Sequence, residues 1–277
     1  MKTELQESEI KKICLDGLIK FKELCERYDL TYFLAYGTLL GAVRHSGYIP
    51  WDDDIDVCMP REDYEKLIII ANTYNKSGEW ELIENRINKK YCFPWIKFCN
   101  KETVIVPSRF NTGMTYGLSI DIFPIDNISG DEKSDFLNNV ESINNSFYRN
   151  RDILHLGAIL ESNMKSIIKD KINKCVFFVK TNFFYNISNV YENYLNDILN
   201  YSEKNTKYCT CIYLTEKYNS VFECKWFNGK KYLEFENQNF CVPGGYREIL
   251  KEIYGDYMEL PSVECRINPH TFKCYRK

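Results

Sequence analysis

Four aspartates stand within one short stretch of the chain, at Asp52, Asp53, Asp54 and Asp56. From Asp54 onwards acidic and apolar residues alternate, as they do in a half-buried β-strand. Asp54 and Asp56 are therefore predicted to point to one face, roughly 6–7 Å apart along the strand. Two carboxylates held this close repel each other unless a cation lies between them or one of them is protonated. Because carboxylate oxygens suit Mg²⁺ or Mn²⁺, the pair predicts a divalent-metal site; the alternative is a solvated acidic loop ahead of an ordinary strand.

A glycine and a threonine, Gly37 and Thr38, precede the acidic stretch. Before them, Tyr32 to Tyr36 form an aromatic and apolar run that suits a buried strand, and after them Leu39 to Val43 can start a helix. A turn of this kind presents bare backbone N–H groups at a helix N-terminus, and such groups attract phosphate. The turn is therefore a candidate phosphate-binding element.

A third carboxylate, Asp121, lies within the apolar stretch Gly117 to Asp126, which is predicted to be a strand. A carboxylate among residues this apolar costs several kcal/mol unless it finds partners. A cation held by Asp54 and Asp56 is the natural partner. We interpret Asp126, at the end of the stretch, as a structural residue that caps the next element.

Lys97 is a lone lysine in another apolar stretch that is predicted to be a strand. Its ammonium group would either reach solvent along its own aliphatic chain or meet a phosphate. The sequence leaves both interpretations open.

Several further elements must position these residues. Hydrophobic periodicity predicts helices over 5–28, 60–74, 131–151, 162–201 and 246–254, and strands over 80–87, 91–99, 103–106, 212–218 and 232–236. We expect three parts: a catalytic core over 1–126, a helical insertion over 127–207 and a C-terminal part over 208–277 that completes the catalytic domain.

Residues 36–67, YGTLLGAVRHSGYIPWDDDIDVCMPREDYEKL, resemble the LicD/fukutin family of phosphotransferases, which is similar to a branch of the nucleotidyltransferase superfamily. The signature of that superfamily is a Gly-Ser or Gly-Thr turn followed by Asp-apolar-Asp, here Gly37-Thr38 with Asp54 and Asp56. A third acid comes from a neighbouring strand, and Asp121 matches it. The resemblance is good over 20–126, moderate over 221–265 and weak between them.

The resemblance implies an α+β fold, with a nucleotidyltransferase-like mixed sheet flanked by helices and carrying a helical insertion. It also implies in-line attack of an acceptor hydroxyl on phosphorus, with Mg²⁺ or Mn²⁺ held by the acids. Asp121 would complete the metal shell and take the proton of the acceptor. Donor phosphate would be bound by Gly37 and Thr38 with Lys97 and Arg44, although Arg44 is also interpretable as a helix-end cation.

The family further implies a CDP-alcohol donor, CDP-choline in particular, and release of CMP. The acceptor would be a sugar hydroxyl of a cell-surface glycan precursor, of the lipopolysaccharide, capsule or teichoic acid kind. Two alternatives stay open: a nucleotidyltransferase that passes an NMP to a small acceptor, and a non-catalytic nucleotide-binding protein. The intact set of turn and acids argues against the second alternative.

Composition limits the partners. A net charge of −3 and a pI near 5.8 give no support to nucleic acid as a partner. The charged first residues and the lack of a run of 18 apolar residues predict neither a secretory signal nor a transmembrane segment. Because eukaryotic members of the LicD/fukutin family typically carry an N-terminal anchor, the resemblance then implies a bacterial, cytoplasmic member. Lysines and aromatic residues over 165–185 leave room for peripheral contact with the inner face of a membrane, where a lipid-linked saccharide would lie.

The chain has 12 cysteines, and we expect free thiols because disulfides are rare in the cytoplasm. Most should be buried as small apolar residues. A zinc site from Cys209, Cys211, Cys224 and Cys241 is the alternative, but the spacing fits no common zinc motif.

Overall fold

A computed structural model describes residues 3–91, 93–107, 115–130, 132–144, 187–203, 206–211, 221–268 and 272–277. The strand predicted over 212–218, the segment 165–185, the end of the helix predicted over 131–151 and most of the helix predicted over 162–201 lie outside these ranges.

The first helix, α1 (Glu7–Arg27), supports the sheet from one side, as its sequence predicts. Its buried residues Ile10, Cys14, Phe21 and Leu24 recur at helical spacing and pack on the central strands. The ring of Phe21 lies 5.9 Å from that of Phe98, between their centroids.

The acidic stretch lies between two helices. Strand β1 (Phe33–Leu34) leads into helix α2 (Tyr36–His45), strand β2 (Asp56–Pro60) follows, and helix α3 (Arg61–Tyr74) begins at once. Helix α2 therefore begins at Tyr36 and not at Leu39 as predicted. Ile55 and Val57 are fully buried, so the face of the acidic stretch that was predicted to point into the core does so.

The central sheet is mixed, which confirms the predicted α+β class. Its order is β1-β2-β6-β4-β3, where β3 is Trp80–Ile83, β4 is Ile96–Asn100 and β6 is Ser119–Asn127. Strands β2 and β6 are parallel, and the other neighbours in this order are antiparallel. Short strands β7 (Tyr208–Thr210) and β8 (Phe222–Glu223) extend the sheet from the end of β6.

The connection between β3 and β4 is longer than predicted. Residues 84–91 form a turn, in which the side chain of Asn85 donates to the carbonyl of Tyr91 at 2.6 Å. The turn is buried at its two ends, at Glu84, Asn85 and Tyr91, whereas Lys89 and Lys90 are exposed.

Helical residues of the predicted insertion build a core of their own. A helix over 133–144, α4, and helix α5 (Ile187–Tyr201) share a buried cluster with residues beside the sheet. The hydroxyl of Tyr191 on α5 donates to the buried Glu84, which ties this part to the catalytic sheet. The boundaries of the insertion stay a prediction.

Beyond β8, the C-terminal part contributes to two two-stranded sheets, which pack beside the central sheet. It contains the hairpin β9 (Lys230–Phe235) and β10 (Gln238–Pro243), the helix α6 (Tyr246–Tyr254) and β11 (Phe272–Arg276), which pairs with β5 (Thr103–Pro107). Helix α6 packs on α2. None of the helices in the described ranges is long and apolar enough to span a membrane.

Candidate active site

A cavity of about 1010 Å³ lies at the edge of the sheet where the acidic stretch enters β2. Five of the seven predicted site residues line it, namely Gly37, Arg44, Asp54, Asp56 and Asp121. The wall is completed by Asp52, by aromatic and apolar residues and by a C-terminal segment, as follows: Asp52, Tyr36, Leu40, Ile49, Trp51, Trp95, Phe123, Tyr254, Asp256, Tyr257, Glu259, Leu260, Pro261 and Ser262.

Strand register brings the acids together. Asp56 on β2 is the direct partner of Asp121 on the parallel strand β6. Neighbouring strands lie roughly 4.8 Å apart, and partner residues point to the same side of a sheet. Asp54 precedes β2 by two residues and lines the same cavity. The predicted common face of Asp54 and Asp56 is therefore present, although the strand itself begins only at Asp56.

Asp56 has a strongly perturbed pKa. Burial raises its pKa well above the usual range, and the negative charges of Asp54, Asp121 and Asp52 raise it further. Such a carboxyl takes up a proton unless a cation offsets the charges around it. The donor set therefore fits a divalent cation in its chemistry. The acids do not form a preformed cage: within the described ranges no three His, Cys, Asp or Glu side chains are grouped closely enough to hold a metal ion.

Asp121 receives two hydrogen bonds. The ammonium group of Lys97 donates to Oδ1 at 2.5 Å, and the indole N–H of Trp95 donates to Oδ2 at 2.9 Å. Lys97 is the strand partner of Asp121 on β4, so the antiparallel register places the two opposite each other. Burial lowers the pKa of Lys97, but the Asp121 carboxylate more than offsets this and the pKa is raised. The sequence did not identify Asp121 as the partner of Lys97, and a contact of Lys97 with donor phosphate stays a prediction.

The glycine-threonine pair lies in the first turn of α2. The hydroxyl of Thr38 is buried and accepts a hydrogen bond from the backbone N–H of Asp56 at 2.8 Å. A Cβ atom at Gly37 would stand 2.7 Å from the carboxylate oxygen Oδ2 of Asp52, so a side chain at this position would displace that carboxylate. Both residues contact the acidic stretch, and no side chain caps the helix at Ala35. Phosphate binding at this turn stays a prediction.

Arg44 lies in the last turn of α2 and lines the cavity. Its Nη1 donates to the backbone carbonyls of Tyr257 and Glu259, at 2.9 and 3.3 Å, and its Nε donates to Nε2 of His45 at 3.0 Å. Burial lowers the pKa of Arg44. The guanidinium thus holds the segment that follows α6 against the end of α2.

This segment, residues 254–262, is the part of the site that sequence reasoning missed. Tyr254, Asp256 and Tyr257 line the cavity opposite the acidic strand. The segment leaves α6 at Gly255, whose φ of 66° and ψ of −120° are unfavourable for other residues. The glycine after the helix was the available signal, but it marked only the helix end.

Asp126 does not cap the next element, contrary to our prediction. Its buried carboxylate accepts two hydrogen bonds from the guanidinium of Arg61, at 2.6 and 2.7 Å, across the end of the sheet. Asp126 lies five residues beyond Asp121, on the opposite face of β6, because an odd separation in a strand changes the face. Its role is structural, as inferred, but its partner is Arg61.

The loop between α2 and β2 is held by hydrogen bonds from the β9–β10 hairpin. Glu236 at the tip of the β9–β10 hairpin accepts a hydrogen bond from the backbone N–H of Tyr48 at 3.1 Å. Its own backbone N–H donates to the carbonyl of Ser46 at 2.9 Å. Glu236, which had no role assigned from sequence, therefore positions the loop that leads into the acidic stretch.

The described cysteines are free thiols, and eight of these ten are buried. This confirms the expected burial as small apolar residues. Cys209, Cys211, Cys224 and Cys241 belong to no group of metal ligands within the described ranges, so the zinc alternative gains no support.

Comparison with known proteins gives related sequences. Residues 29–155 match the family model described as LicD/FKTN/FKRP, nucleotidyltransferase domain. The chain is 29% identical over 278 residues to a Haemophilus influenzae protein named lipopolysaccharide cholinephosphotransferase LicD, a match that covers 99% of this chain and 98% of the relative. It is 40% identical over 72 residues to an uncharacterized protein of Rickettsia prowazekii, covering 25% of this chain and 27% of that protein. An uncharacterized protein of Rickettsia typhi is 47% identical over 57 residues, a match that covers 20% of this chain and 18% of that protein.

Proposed function

We propose that the chain, whose residues 29–155 match the LicD family model, is a LicD-like phosphotransferase. It transfers a phospho-alcohol, phosphocholine in particular, from a CDP-alcohol donor to a sugar hydroxyl and releases CMP. The acceptor in this proposal is a cell-surface glycan precursor. The printed name of the Haemophilus relative, a lipopolysaccharide cholinephosphotransferase matched over nearly the whole chain, supports both the alcohol and the glycan.

The observation that carries the proposal is the meeting of Asp54, Asp56 and Asp121 on one wall of a cavity large enough for a nucleotide-linked donor. Asp54 and Asp56 are more than 60 residues away from Asp121 in sequence, and the parallel register of β2 and β6 brings Asp56 and Asp121 together. Phosphoryl transfer depends on positioning and on offsetting negative charge, and this arrangement suits both requirements.

Asp54 and Asp56 would hold Mg²⁺ or Mn²⁺, with Asp121 as the third oxygen donor. The raised pKa of Asp56 supports this part of the proposal, because a carboxyl surrounded by other carboxylates gains from a bound cation. A cation at this position supplies stabilisation of the charge on the phosphoryl oxygens.

The residues of the chain have distinct tasks in this proposal. Asp121 accepts the proton of the attacking hydroxyl, and the hydrogen bonds from Lys97 and Trp95 fix the orientation of its carboxylate. The N-terminus of α2, which lies in the cavity wall at Gly37 and has no capping side chain, binds a donor phosphate.

The aromatic lining supports choline as the alcohol. The rings of Tyr36, Trp51, Trp95, Tyr254 and Tyr257 face the same cavity as the acids. Aromatic faces attract quaternary ammonium groups, and nearby carboxylates add favourable charge. An alcohol without a positive charge would not gain from either feature.

A cytoplasmic location with access to the inner face of the membrane would suit a lipid-linked saccharide acceptor. Cell fractionation with the salt-washed membrane as a separate fraction tests this part. Recovery in the soluble fraction and as a salt-removable membrane fraction is the expected outcome.

The test is incubation of the purified chain with CDP-choline, CDP-ethanolamine or CTP, with and without lipopolysaccharide as acceptor, in Mg²⁺ and after chelation. We expect CMP from CDP-choline together with choline-derived label on the glycan. Chelation should abolish both, Mg²⁺ or Mn²⁺ should restore them, and Zn²⁺ should not be needed. Asp56→Asn is the matched control.

Two outcomes would contradict the proposal. Release of pyrophosphate from CTP, without CMP from any CDP-alcohol, would identify a nucleotidyltransferase that passes the NMP. Binding of CDP-choline, measured by calorimetry, without product under any condition would identify a non-catalytic nucleotide-binding protein.

A further inference from the structure

Lys97 lies behind the acidic wall of the cavity. Its side chain is only 12% exposed, and it is absent from the cavity lining. The ammonium nitrogen lies 2.5 Å from Oδ1 of Asp121 and 3.5 Å from the hydroxyl of Ser119. The rings of Trp95 and Tyr116 flank it, with centroids 6.0 and 5.6 Å away. A donor molecule in the cavity would therefore meet Asp121 before it met Lys97.

The register of three strands places Lys97 in line with the acids. Asp56, Asp121 and Lys97 are consecutive partners across β2, β6 and β4. Their side chains point to one side of the sheet at one level, since partner residues share a face. The order across the sheet is thus acid, acid, lysine, and the lysine side chain is largely buried.

A buried ammonium group beside a carboxylate cluster has two electrostatic effects. It offsets part of the negative charge that would otherwise destabilise the metal-free protein. It also repels a divalent cation that approaches the same carboxylates. Both effects are strong because the surroundings of the ammonium group exclude water.

We infer that Lys97 is the internal counter-ion of the acidic cluster, and that it sets how tightly the cavity binds a divalent cation. The inference rests on the metal site of the proposed function. Lys97 acts through Asp121 and is a positioning residue, not a ligand of donor phosphate. Its charge keeps the cavity stable without metal and holds the metal affinity below what the carboxylates alone would give.

The test measures Mn²⁺ binding directly, without turnover. Free Mn²⁺ is followed by electron paramagnetic resonance during titration of the full chain and of Lys97→Met, Lys97→Gln and Lys97→Arg. Lys97→Met and Lys97→Gln should bind Mn²⁺ about tenfold more tightly, because removal of one like charge close to the ion is worth at least that much. Lys97→Arg keeps the charge and should keep the wild-type affinity.

A surface control separates charge at the site from the overall charge of the chain. Lys273→Met removes a lysine of the same kind from an exposed ion pair with Glu4, and should leave Mn²⁺ affinity unchanged. Thermal melts in chelator and in Mn²⁺ add a second measurement, in which the stabilisation by Mn²⁺ should be larger for Lys97→Gln than for the wild type. If Lys97→Met does not fold, Lys97→Gln, whose amide can still donate to Asp121, carries the comparison.

The possible outcomes are distinct. Equal or weaker Mn²⁺ binding by the neutral variants overturns the inference and leaves the proposed metal site intact. A structural role alone would lower the melting temperature without changing the affinity. Absence of Mn²⁺ binding in wild type and variants alike overturns the inference together with the metal part of the proposed function.

Discussion

The side chain of Thr38 accepts a hydrogen bond from the backbone N–H of Asp56, with Oγ1 and N 2.8 Å apart. The bond joins the first turn of α2 to the first residue of β2. Thr38 is 3% exposed, so water does not replace this bond. The element proposed to bind phosphate and the strand proposed to bind metal are therefore held at a set distance.

Replacement of Thr38 by valine should destabilise the protein and reduce turnover. Valine has nearly the same shape but no acceptor, which leaves the N–H of Asp56 buried and unpaired at a cost of about 1–3 kcal/mol. Urea unfolding measures the cost, and Thr38→Ser, which keeps the hydroxyl, is the control. A valine variant with wild-type stability and rate would show that the bond is dispensable.

Asp54→Asn and Asp56→Asn should each abolish transfer without loss of stability in metal-free buffer. Burial raises the folded-state pKa of Asp56, and the neighbouring acids Asp54, Asp121 and Asp52 add to the effect. The unfolded chain ionises first, so this carboxyl lowers the stability as pH rises from its unfolded pKa through its folded pKa. Urea unfolding in chelator over a pH series should show this loss in the wild type and a smaller one in Asp56→Asn. A less stable, fully active variant would remove Asp56 from the site.

Arg44→Met should loosen the segment 254–262 and raise KM for the donor. The variant loses the hydrogen bonds to the carbonyls of Tyr257 and Glu259, which form part of the cavity wall. Hydrogen exchange of this segment should increase. Arg44→Lys keeps the charge but not the forked donors, so it should rescue little. Full rescue by lysine, with unchanged exchange, would indicate a phosphate contact instead.

Asp121 and Asp126 should respond oppositely to the same substitution. Asp121→Asn should bind Mn²⁺ and CDP-choline with modest weakening but lose roughly 10²–10⁴-fold in turnover, the usual contribution of a general base. Asp126→Asn should cost about 3 kcal/mol of stability, because it leaves the Arg61 guanidinium without its buried anionic partner. The folded fraction of Asp126→Asn should keep its turnover. Wild-type turnover in Asp121→Asn would leave that residue a structural role.

The sequence alone determined the features that depend on local periodicity. Alternation placed Ile55 and Val57 in the core and therefore Asp54 and Asp56 on the other side, because successive side chains of a strand change faces. The same argument predicted α1 and α3 with boundaries close to those observed. The quoted stretch 36–67 also sufficed to indicate the LicD family.

The predicted boundaries of helices and strands were less accurate where side-chain contacts override the local conformational preference of the sequence. Helix α2 begins at Tyr36, whose positive φ of 45° no periodicity indicates. The predicted strand over 91–99 begins only at Ile96, because residues 93–95 form a bend after the turn closed by Asn85. Phe93, Pro94 and Trp95 are as apolar as the residues of a buried strand, so the pattern does not separate bend from strand.

Only the tertiary structure decided which charged residues meet. Lys97 pairs with Asp121 and Asp126 pairs with Arg61, in both cases between elements that are far apart in the chain. Segment 254–262 enters the cavity because α6 packs on α2 and Arg44 holds its carbonyl groups. Alternation along a strand shows which face a side chain takes, but its partner depends on strand register and helix packing, which are set by contacts across the whole chain.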